Sequence, residues 1–165
     1  MKKILLIGFA ACYKSAVGRL VADMLNCTYI DTDLAIERNC NMSVQQIFEQ
    51  HGEAYFRQKE SQLLATLNCD NTVVACGGGS VLAPNFNEFA RDSIVICLTA
   101  SAETIYSRLG GEVVRPLFDG LSLDELRGYI DSRAPLYCKY AHVTFSTDGK
   151  TPEQVAQQVC NFLQC

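Results

Sequence analysis

The stretch KILLIGFAACYKSAVGR, residues 3–19, decides the fold of this chain. Its first seven residues are almost continuously apolar and rich in branched side chains. Such a run suits a strand covered on both faces, as in a parallel sheet. The run passes straight into Gly8 and then into Lys14-Ser15 and a helical pattern. Against the phosphate-loop pattern G-x-x-x-x-G-K-[ST], Gly8, Lys14 and Ser15 match, while Tyr13 stands where a second glycine is expected. In the matching context, backbone N–H groups and the helix N-terminus attract phosphate, Lys14 neutralises it, and Ser15 offers a hydroxyl to Mg²⁺. Tyr13 counts against this reading, because such loops place residues at positive φ, where a bulky side chain is strained. An ordinary strand–turn–helix corner is the alternative. The basic start and apolar run also imitate a signal peptide, but the run is short, and Lys14 and Arg19 bring charge soon after it.

Outward from this corner, CTYI (27–30), TVVAC (72–76), SIVICL (93–98) and HVTF (142–145) repeat the strand pattern. Helical spacing runs through 14–25, 44–51, 53–67, 102–109, 123–133 and 152–163. Ser43, Ser122 and Thr151 each precede a Glu or Gln by three, the signature of a capped helix start, and Pro152 stands at a first helical position. Strands alternating with helices predict a three-layer α/β/α fold around a parallel sheet, within one domain. Two stretches break the alternation: the paired helices over 43–67, and the Gly/Pro-containing segment 110–121. Long irregular segments in compact domains usually bind or cover ligands.

Composition narrows the class. With 14 Lys+Arg against 18 Asp+Glu, the chain lacks the basic footprint of a nucleic-acid-binding module. No apolar stretch approaches the roughly 20 residues of a membrane span. Nine cysteines without C-x-x-C or zinc-finger spacing predict reduced thiols and a cytoplasmic setting. His51 and His142 read as surface or packing residues.

Four further motifs carry potential chemistry. Asp31-Thr-Asp33 ends the second strand, where open parallel sheets bind ligands. Two carboxylates there can divide metal binding from general-base work, although Asp at a strand end is also a common helix cap. Arg57 and Glu60 are i, i+3 helical neighbours, either a solvated pair or an arginine held ready for an anion. Gly77-Gly78-Gly79 comes directly after the third strand and signals close backbone approach, with a flexible turn as the other reading. Val114-Arg115-Pro116 and Arg133-Ala-Pro-Leu-Tyr137 add further guanidinium groups at irregular or terminal places. An acidic chain that gathers arginines in this way is holding carboxylate or phosphate.

In this order the motifs resemble the shikimate kinase family of phosphate-loop small-molecule kinases. The resemblance runs from Gly8 to Pro152 and implies a five-stranded parallel sheet of order 2-3-1-4-5. It also implies transfer of the ATP γ-phosphoryl group to the 3-hydroxyl of shikimate, on the route to aromatic amino acids. On this resemblance, Gly8, Ala11, Cys12, Tyr13, Lys14, Ser15 and Ala16 would cradle ATP, with Arg108 stacking on adenine and Pro152 bordering the base. Ser15 and Asp31 would hold Mg²⁺, the latter through water. Asp33 would bind the shikimate hydroxyls and orient or deprotonate the attacking one, and Arg57 and Arg133 would grip the carboxylate. The Gly77–Gly79 backbone would line the substrate, and Arg115 would descend on the transferring group. Residues 33–67 would form a substrate-binding helical insert and 110–121 a lid, within a single kinase domain over 1–165. The family also implies a monomer.

The family loop carries glycine where Ala11 and Tyr13 stand here. That departure leaves open an active kinase with a remodelled loop, one with weakened ATP affinity, and a shikimate-binding pseudokinase. A related small-molecule kinase, such as a gluconate kinase, is a further alternative.

Overall fold

A computed structural model describes residues 2–67, 69–110, 117–118 and 120–164 of the chain. Five strands, β1 (Ile4–Ile7), β2 (Thr28–Asp31), β3 (Thr72–Ala75), β4 (Ile94–Thr99) and β5 (Val143–Ser146), form one parallel sheet in the order β2-β3-β1-β4-β5. The three inner strands hold the continuous apolar runs and are buried almost throughout, whereas the edges β2 and β5 are partly exposed. Burial on both faces is what such runs require. Gly8 lets the chain leave β1 against β4: a Cβ at this position would lie 2.1 Å from the Leu98 carbonyl oxygen.

The helices around the sheet are α1 (Lys14–Leu25), α2 (Thr32–Cys40), α3 (Val44–Thr66), α4 (Phe86–Phe89), α5 (Ala102–Leu109), α6 (Leu123–Tyr140) and α7 (Pro152–Leu163). A 3₁₀ turn covers Ser80–Leu82. The capping boxes expected at Ser43, Ser122 and Thr151 all form, each leaving fewer unsatisfied N–H groups at a helix start. α1 packs on α7, and α5 on α6. Gly52 (φ 81°) breaks α3 between the two helical segments read from sequence. A second apolar cluster, Ile36, Ile47, Phe56 and Leu63, joins α2 to α3 away from the main core.

Two elements differ from the sequence reading. The segment after Asp31 is a helix, α2, started by the Asp31 carboxylate accepting from the Asp33 and Leu34 N–H groups. α6 continues seven residues beyond Arg133 and carries the exposed Pro135 inside it. Most of the segment expected to form a lid, including Arg115 and Pro116, lies outside the described residues. The eight described cysteines are all free thiols. No helix among the described residues is long and apolar enough to cross a membrane.

Candidate active site

The loop between β1 and α1 keeps the shape that glycine would allow without containing glycine where it turns. Ala11 (φ 58°) and Tyr13 (φ 65°) both occupy the left-handed region, at a cost of about 1–3 kcal/mol each. Part of that cost is recovered by Arg108, from the last turn of α5. Its guanidinium carbon sits 3.7 Å from the centre of the Tyr13 ring. Its Nη1 donates to the Ala11 carbonyl (2.8 Å) and the Thr147 hydroxyl (2.9 Å), and its Nη2 donates to the Thr147 carbonyl (3.0 Å). Cation–π contact of this kind contributes about 0.5–2 kcal/mol. The loop is not collapsed, because Ala11 to Ala16, Asp31 and Arg108 line a cavity of about 390 Å³. Lys14 is buried beneath it, with Nζ donating to the Phe9 carbonyl at 2.7 Å.

At the first turn of α1 the Ser15 hydroxyl donates to Asp31 Oδ2 at 2.6 Å. The Tyr29 hydroxyl lies between the same groups, 3.1 Å from the Ser15 carbonyl and 3.2 Å from Asp31 Oδ2. Burial, and then the neighbouring Asp31 charge, push the Tyr29 phenol up to about 12. Hard oxygens from one hydroxyl and one carboxylate suit Mg²⁺, which retains water and shares its shell with substrate phosphates instead of filling an all-protein cage. Among the described residues there is no group of three or more His, Cys, Asp or Glu side chains fit to hold a metal.

The second chamber is built on α3 and the glycine run. Arg57 is bound by the fully buried Glu60 (2.9 Å) and the exposed Glu53 (3.3 Å). Glu60 also accepts from the Ser80 hydroxyl at 2.7 Å. Burial pushes the Glu60 carboxyl up, against the opposing pull of Arg57 and Ser80. The solvated ion pair is therefore excluded for Glu60, whose side chain is fixed on both oxygens. Gly77 and Gly79 exist to admit these groups: a Cβ would stand 2.5 Å from Asp33 Oδ1 at the first and 2.3 Å from Arg57 Nη1 at the second. Gly78 presents its carbonyl to the Tyr137 hydroxyl at 2.6 Å. Arg57, Glu60, Gly77–Gly79 and Arg133 line this chamber together with Asp33.

Asp33, Ala10, Gly77 and Gly78 line both chambers, which therefore adjoin along the wall that includes Asp33 and together make up one cleft. The cleft thus unites Cys12, Tyr13, Lys14, Ser15, Ala16, Asp31, Asp33, Arg57, Arg108 and Arg133. Gly8 lies below it and Pro152 begins α7; neither lines the cleft. Arg115 lies outside the described residues. The Cys12 thiol lines the loop chamber but is buried, which raises its pKa. Sequence reasoning gave no role to Tyr29 or Thr147, nor to Tyr137 beyond its place in the Arg133–Tyr137 motif; their hydroxyls meet Ser15 and Asp31 (Tyr29), Arg108 (Thr147) and Gly78 (Tyr137). It also missed the aromatic wall of the second chamber, where Phe9 and Phe118 meet at a tilt of 42° with centroids 4.9 Å apart, beside Phe48 and Phe56. An aromatic residue inside the Gly/Pro segment was the one available signal for Phe118.

A parallel sheet of this order, a lysine-bearing loop at the end of its first strand and a carboxylate shared with an arginine-lined chamber define a phosphate-loop kinase acting on a small acceptor. The comparisons with known proteins narrow this class. The family model for shikimate kinase matches residues 10–164. A shikimate kinase of Dehalococcoides mccartyi is 36% identical over 158 residues, covering 94% of this chain and 90% of the relative. The solved shikimate kinase of Acinetobacter baumannii in complex with shikimate superposes with a TM-score of 0.93 at 30% identity, over 99% of this chain and 93% of the other. That of Aquifex aeolicus gives 0.84 at 31% identity, over 98% and 96%. The chain belongs to the shikimate kinase family.

Proposed function

We propose that the chain transfers the γ-phosphoryl group of ATP to the 3-hydroxyl of shikimate, with the loop chamber as donor site and the α3 chamber as acceptor site. The observation that carries this reading is the position of Asp33 on the wall common to both. A carboxylate there reaches an acceptor hydroxyl facing the terminal phosphate, orients it and takes its proton as the new O–P bond forms and ADP leaves. Arg57 and Arg133 supply two guanidinium groups to the shikimate carboxylate, with Arg57 held in place by Glu60. Gly77–Gly79 give the acceptor a flat backbone surface, and the Phe9–Phe118 pair shields its ring.

On the donor side, the loop from Gly8 through Ala11 and Cys12 to Ala16 wraps the phosphates, and Lys14 neutralises their charge. Arg108 faces the base, with Pro152 at its border. Ser15 and Asp31 would hold Mg²⁺, which supplies charge neutralisation on the phosphates when bound. The motif around Arg115 assigns that residue to the transferring group, and 110–121 to a lid that excludes water. The helices over 33–67 serve as the substrate-binding insert of a single kinase domain spanning 1–165. A cytoplasmic monomer fits the composition and the family.

Coupled detection of ADP across a panel of hydroxy acids, shikimate and gluconate included, tests the assignment. Turnover that depends on shikimate and Mg²⁺ is expected. Asp33→Asn should lower it by about 10²–10⁴-fold. Full activity in that variant would remove Asp33 from the mechanism, and preference for gluconate would overturn the acceptor.

A further inference from the structure

The two loop positions that lack glycine are both secured by one side chain. One nitrogen of Arg108 holds the Ala11 carbonyl, and the guanidinium face covers the Tyr13 ring. Its remaining bonds, to Thr147, fix it to the loop after β5. Edge and face are thus both engaged by the chain itself, and Tyr13 and Arg108 line the same cavity.

We propose that Tyr13 is a positioning residue for the nucleotide, its ring holding Arg108 in place beside the phosphate loop before ATP arrives. This rests on the reading of the loop chamber as the nucleotide site. A glycine at position 13 would relieve the positive φ, but it would also uncover the guanidinium face and leave the arginine held by its edge bonds to Ala11 and Thr147 alone. Preorganisation lost in this way appears in binding, because the ordering must then be done by the ligand. The tyrosine is therefore a working part of the donor site and not a lesion in it, and restoring the family's glycine weakens the site.

The test is titration calorimetry with Mg²⁺·ADP on the full chain, combined with steady-state kinetics, for Tyr13→Gly, Tyr13→Leu and Tyr13→Phe. Gly and Leu are expected to raise the ADP dissociation constant and the KM for ATP about ten-fold, with kcat and the KM for shikimate within about two-fold of the native values. Phe, which keeps the ring, should bind as the native chain does. Because Tyr13 acts through Arg108, Tyr13→Gly placed on Arg108→Ala should cost no more than about two-fold further. Equal or tighter ADP binding by Tyr13→Gly and Tyr13→Leu overturns the proposal, as does a matching fall in kcat and both KM values. Unchanged ADP binding in Arg108→Ala overturns the proposal, whereas no ADP binding by the native chain removes the nucleotide reading on which it rests. Thermal melts of each variant separate loss of binding from loss of fold, and the Leu and Phe pair decides the question should the Gly variant unfold.

Discussion

At the scale of single residues, the chamber built on α3 depends on side chains that are absent. Gly79 stands against the Arg57 guanidinium so closely that even a methyl group cannot fit without moving it. Arg57 cannot yield freely, since Glu60 and Glu53 hold it from the other side. Gly79→Ala is expected to raise the KM for shikimate at least about ten-fold while leaving Mg²⁺·ADP binding unchanged, as read by kinetics and calorimetry. Unchanged shikimate kinetics would show that the arginine finds another place. The Gly-Gly-Gly run was legible in the sequence because three consecutive glycines have few other purposes at a strand end. The answer to Tyr13 was not. Its partner Arg108 belongs to a helix of a different layer, and the Arg108 bond to Ala11 spans 97 positions. No local pattern shows that a strained residue is answered by a guanidinium so far along the chain.

At the scale of elements, the strands and most helices could be read from apolar runs and capping residues, and the exceptions have physical causes. α2 escaped because its sequence TDLAIERNC is largely polar and short of the apolar stripe that marks a helix, burying only Thr32 and Ile36. Of the two readings of Asp31, the fold shows the cap: Oδ1 accepts from the first N–H groups of α2, while Oδ2 accepts from the Ser15 hydroxyl. α6 overran the expected stop because Pro135 lies on an exposed stretch, where the carbonyl it leaves unbonded can meet water. α5 matters most for the loop chamber, since it carries Arg108, and its start is fastened by Asp148. That carboxylate accepts from the Ser101 N–H and hydroxyl at 3.0 Å. Hydrogen bonding, from Thr104 first and then Ser101, holds its pKa down at about 2, below the ordinary 3.8. A depressed folded-state value stabilises the fold above the unfolded value and loses that contribution as pH falls from about 4 to about 2. The site is partly exposed and therefore screened, so Asp148→Asn should cost about 1 kcal/mol at neutral pH, or a fall of about 2–4 °C in Tm. Melts from about pH 7 down to about pH 2 should show the difference between native and variant closing over that window. A gap that persists at the acid end would mean that the carboxylate charge is not the cause.

At the scale of the whole molecule, net charge and cysteine content both conceal local arrangements. The chain carries a formal −4, yet Lys14, Arg57, Arg108 and Arg133 converge on one cleft. The thiols are mostly core atoms. Burial pushes the Cys76 thiol well above its ordinary range and Cys97 up to about 12. Thiolates are the reactive form, so native-state alkylation followed by peptide mass analysis should label exposed Cys138 first among the described cysteines, and Cys76 and Cys97 only after unfolding. Early labelling of Cys76 or Cys97 would show that the sheet opens readily. The sheet order has one more effect, and it concerns time. β1 is made first, but its two neighbours are β3 and β4, paired through residues as distant as Val73 and Ile94. During synthesis β1 must therefore wait, without its second neighbour, until Ile94 and the rest of β4 have been made. Gly8 closes against Leu98, so the turn out of β1 cannot take its final shape before β4 is in place. The loop chamber can therefore be completed only after Arg108 has followed β4 out, so the shape of this loop depends on chain made long after the loop itself.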